Sequence, residues 1–114
     1  MPSNPLSQDE VIASRELHVI GSEDKVLVEI GKPRKADVDA QCPYRIHYRG
    51  HVYGMDIFGI DEFQALQLAM KHLPIDLRHL PFLPVGKIYQ FEPGDDMGFS
   101  EKDTWHWPEK DKEQ

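Results

Sequence analysis

Apolar and polar side chains alternate twice in the first third of the chain. Leu17 and Val19 oppose Glu16 and His18, and Val26, Val28 and Ile30 then oppose Lys25 and Glu29. A period of two marks strands that turn one face to a core. The stretch Gly21-Ser22-Glu23-Asp24 between them is short, polar and contains glycine, so the pair reads as a hairpin. Leu27 interrupts the polar side of the second strand, which predicts that this face is partly covered. A charged connection follows from Gly31 to Gln41. Tyr44, Ile46 and Tyr48 then share a face opposite Arg45 and His47. Arg49-Gly50-His51 turns the chain into a further strand, in which Tyr53, Met55 and Ile57 oppose Val52, Asp56 and Phe58. That is a second hairpin. Pro43 is expected at a strand start, because it has no N–H to give a ladder.

The period changes after Gly59. Asp61 is placed to cap a helix and Gln64 stands three residues on, as a capping box requires. Ile60 before the cap is expected to staple onto Ala65. At helical spacing Phe63, Leu66, Ala69, Met70 and Leu73 form one broad apolar stripe, predicted to pack on the sheet, and Leu68 lies off it. Pro74 is expected to end or kink this helix, with at most one short turn from Ile75 to Leu80 beyond it. Pro81 and Pro84 then enforce extended chain, and Val85 to Phe91 has strand character. These elements predict an α+β domain: an antiparallel meander of four to five strands, paired in sequence order, with one main helix on one face. Residues 1–10 read as a flexible arm and 11–108 as a single domain whose C-terminal segment is extended from about residue 81. Residues 109–114 read as a disordered tail.

Composition narrows the function classes. The chain has 114 residues, a single-domain length, and its apolar fraction of 39% argues against wholesale disorder. The net charge is −7, and residues 92–114 hold eight acids against three lysines, a balance of −5. An acidic chain lacks the field that phosphates or anionic lipids require, so neither nucleic acid nor membrane is an expected partner. A basic protein partner suits it better. Cys42 is the lone cysteine, which rules out an intrachain disulfide and fits a cytoplasmic location. No basic stretch precedes Arg15 and no long apolar run follows, unlike a secretory leader.

Candidate chemistry is sparse. Cys42, His47 and His51 have metal-like spacing, but Cys42 and His47 point to opposite faces of a strand, and a structural zinc site wants four ligands. No metal and no cofactor is expected. His72 and His79 read as decoration of the helix end, where positive charge is favourable. Arg45, His47 and Asp56 are expected on one outer face and form the best small-molecule or catalytic cluster available. No phosphate loop, nucleophile elbow or HExxH motif appears, so an enzyme is not expected. The remaining cluster is C-terminal, with Asp95, Asp96, Glu101 and Asp103 beside Trp105 and Trp107. Carboxylates steering a basic partner and tryptophans anchoring it would make a protein-binding edge. Alternatively, the tryptophans clamp the tail onto the body and cover Leu68.

The strand Cys42-Pro43-Tyr44-x-Ile46 and the helix start Gly59-x-Asp61-x-x-Gln64-Ala65-Leu66-x-Leu68-Ala69 together resemble a family of small, functionally uncharacterised bacterial domains. The resemblance covers about residues 11–75. It implies a compact α+β domain and no activity. The leading functional expectation is therefore a small acidic protein-interaction module, immunity- or antitoxin-like. The alternative is a ligand-binding or enzymatic domain built on Arg45, His47 and Asp56, and a third reading is a homo-oligomer joined by strand edges.

Overall fold

The alternating runs form the strands that their period dictates. In a computed structural model, which describes residues 10–92 and 97–99, β1 (Val11–Val19) pairs antiparallel with β2 (Lys25–Gly31), and β4 (Ala40–Tyr48) pairs antiparallel with β5 (His51–Gly59). The second hairpin closes on Arg49 and Gly50, both with positive φ (49° and 85°). A two-residue turn of that hand matches the twist of the strands it joins. The connection between the hairpins contains the short β3 (Arg34–Lys35), and β2 lies beside β4.

The last strand, β6 (Ile88–Tyr89), pairs with β1. The sheet order is thus β6-β1-β2-β4-β5, with β3 beside the start of β4. The expected α+β meander with one helix is present, but its final strand crosses to the free side of β1 and does not follow β5.

Pro43 departs from expectation. It is the fourth residue of β4 and is fully buried. On one edge β4 pairs with β3 at Ala40–Gln41 and with β2 from Tyr44 onward, so Pro43 falls in the break between two ladders. Its missing N–H leaves no bond unmade there.

The helix α1 (Glu62–Leu77) starts as the sequence predicts. The Asp61 side chain accepts from the Gln64 N–H at 2.8 Å, and the Gln64 side chain takes the Ile60 N–H at 2.8 Å. The expected staple is absent, because Ile60 is 76% exposed. Ala65 is covered instead by the backbone of Gly59, where a Cβ would stand 2.5 Å from the Ala65 nitrogen.

Pro74 does not end the helix, which continues to Leu77. A proline near the last turn costs one backbone bond. Burial of Pro74 and Leu77 offsets that cost.

The helix is also rotated from expectation. Ala65, Ala69, Leu73 and Leu77 face the sheet, whereas Phe63 is 80% and Met70 52% exposed. Alanines at successive turns let the helix approach closely over β4 and β5, and the bulkier Phe63–Met70 flank is turned aside. Among the described residues, no helix is long and apolar enough to cross a membrane.

Candidate functional site

Because α1 lies over β4 and β5, one flank of the helix stands beside the start of β1 and the end of β2. A cleft of about 390 Å³ opens between the helix flank and this hairpin. Ile12, Val28 and Ile30 line it from the sheet, and Leu66, Met70 and Leu73 line it from the helix. The rotation that exposes Met70 is what gives the cleft an apolar wall.

Two cations interrupt this apolar lining, Arg15 and Lys71. Arg15 lies opposite Val28 in the register and so shares its core-side face. Its Nη1 donates to the carbonyls of Met97 (3.1 Å) and Gly98 (2.9 Å), and the guanidinium sits 4.8 Å from the Phe99 ring centroid. Gly98, at φ 82°, permits this approach, since a Cβ there would come within 2.8 Å of Arg15 Nη1. Among the described residues, no carboxylate forms an ion pair with Arg15 or Lys71.

The outer face of the sheet carries the cluster expected from sequence, in altered form. The register places Arg45, His47 and Asp56 on one face. Arg45 and His47 converge on Glu29, however: Arg45 Nε and Nη2 lie 3.2 and 2.9 Å from Glu29 Oε1, and His47 Nε2 lies 2.8 Å from it. Glu29 is buried beneath them. Asp56 stands opposite Pro43, and its Oδ1 is buried with no hydrogen-bond partner among the described residues. Burial raises the Asp56 carboxyl above the usual range, against a smaller opposing effect of the Arg34 charge. Cys42 points into the core, and its thiol is pushed up to about 11 by burial and then by the Asp56 charge, so it is unreactive.

Sequence reasoning missed a third cluster. The Tyr44 hydroxyl donates to Asp76 Oδ2, and His72 Nδ1 lies 2.8 Å from the same hydroxyl. With its one proton given to Asp76, the tyrosine oxygen is left to accept from His72 Nδ1–H. Burial first, and then the hydrogen bond to Asp76, raises Tyr44 far above the ordinary phenol range. Tyr53 is raised by burial and then by the Asp76 charge and hydrogen bond. Both phenols therefore stay protonated, and the network fastens the end of α1 to the sheet. His79, by contrast, sits at the helix end as expected, with Nδ1 2.8 Å from the Ile75 carbonyl. The expected partner-binding residues Asp95, Asp96, Glu101, Asp103, Trp105 and Trp107 lie outside the described residues.

Fold and cleft together define a small α+β domain whose one helix packs over β4 and β5 of an antiparallel sheet. Residues 13–101 match the family described as a domain of unknown function (DUF6968), and the chain belongs to that family. No curated protein and no solved structure matches it.

Proposed function

We propose that this domain is a non-enzymatic binding module that holds one small, mainly apolar molecule between α1 and the β1–β2 hairpin. The observation that supports this reading is the cleft of about 390 Å³, walled by aliphatic and thioether side chains, of which Ile12 and Met70 are about half exposed. Its volume falls within the range of small-molecule sites. A protein of this size gains nothing in stability from a wall such as Met70 left half exposed, and filling the cleft with a ligand would remove that surface from water. The test is displacement of an apolar fluorescent dye by 1-decanol. Saturable one-to-one binding is expected, weakened at least about tenfold in Met70→Trp, whose indole fills the space. Unsaturable binding, or a variant that binds as the parent does, would contradict the reading.

The charge distribution favours a second reading. Residues 92–114 carry −5 of the net −7, which suits capture of a basic protein partner, as an immunity- or antitoxin-like protein would require. Loss of capture on truncation before Asp95, or in the Trp105→Ala, Trp107→Ala pair, is the expected result. Unchanged capture would end this reading. A bacterial origin and a cytoplasmic location go with both proposals.

A further inference from the structure

The ligand's polar end can be inferred from the two cations of the cleft, an inference that rests on the binding-module reading above. A guanidinium on the core side of a sheet is costly unless its charge is answered. Arg15 is answered by two backbone carbonyls, both through Nη1, and by the Phe99 ring. Those partners are neutral. Lys71, exposed on the helix, also lines the cleft and makes no ion pair among the described residues. Among the residues that line the cleft there is no carboxylate, so an anionic head would find little competition from the protein. The volume suits one short tail, too little for a two-chain lipid.

We propose that the cleft binds a single-chain amphiphile with a carboxylate head, its tail against Val28, Ile30, Leu66 and Met70 and its head at Lys71 and Arg15. Electrostatic attraction selects the head and apolar burial supplies most of the affinity.

The test compares decanoate, 1-decanol and decyltrimethylammonium by calorimetric titration, below self-association, on the full chain and on Lys71→Gln and Lys71→Glu. Lys71 is exposed, and equal thermal midpoints would confirm that the variants fold. Decanoate is expected to bind about tenfold more tightly than decanol. Its affinity should fall about threefold in Lys71→Gln and further in Lys71→Glu, with decanol unchanged, as for a screened ion pair near the surface. Equal binding of decanoate and decanol, no effect of Lys71→Gln, or preference for the ammonium would each overturn the carboxylate proposal and leave the cleft reading standing. Failure of all three to bind would overturn both.

Discussion

Asp76 and Asp56 are both carboxylates in partly or wholly buried positions, yet their environments give them opposite effects on stability. Asp76 accepts from the buried Tyr44 hydroxyl, a hydrogen bond that answers its carboxylate. Asp76→Ala would leave the buried Tyr44 hydroxyl without its acceptor and is expected to cost about 3 kcal/mol in urea denaturation. Adding Tyr44→Phe should recover part of that loss, because the orphaned hydroxyl is then gone. Asp56 has a buried oxygen with no partner among the described residues and a raised carboxyl. A carboxyl that binds its proton more tightly when folded opposes folding above its folded pKa, and the opposition fades as pH falls through the carboxylate range. Asp56→Asn is therefore expected to raise stability at neutral pH, with an advantage that shrinks in acid. An unchanged difference between pH 7 and pH 4 would contradict this. Neither environment was legible in the sequence. Tyr44 and Asp76 lie 32 residues apart, and Asp76 stands beyond Pro74, where the helix was expected to end or kink.

The cap of α1 could be read because Asp61 and Gln64 act on neighbouring backbone, and local chemistry suffices to specify it. The facing of the helix could be read only in part. The expected stripe joined a bulky edge (Phe63, Leu66, Met70) to an edge with Ala69 and Leu73, and hydrophobicity alone does not show that the second edge, together with Ala65, is the one turned to the sheet. Close approach to the sheet selects the second, with Gly59 packed on the backbone of Ala65. Gly59→Ala places a Cβ against main chain, which cannot swing aside as a side chain does. A loss of about 2 kcal/mol is expected, readable as a lowered thermal midpoint. No loss would mean that the β5–α1 junction relaxes freely. Strand faces, in contrast, were fully legible from alternation, including the outward placement of Arg45 and His47. Their partner Glu29 was not, since it required knowing that β2 lies beside β4.

At the scale of the whole molecule, one helix packs over β4 and β5, and a cleft opens between its flank and the start of β1 and end of β2. That outcome depends on the sheet order, the rotation of α1 and the passage of Met97–Phe99 past Arg15 together, so no single segment announces it. The most direct measurement is methyl NMR of the full chain titrated with decanoate. Methyl groups of Ile12, Val28, Ile30, Leu66, Met70 and Leu73 are expected to shift together along one saturable curve, while Val52 on the outer face stays fixed. Shifts scattered over both faces, or none in this set at saturating decanoate, would contradict the cleft as the binding site.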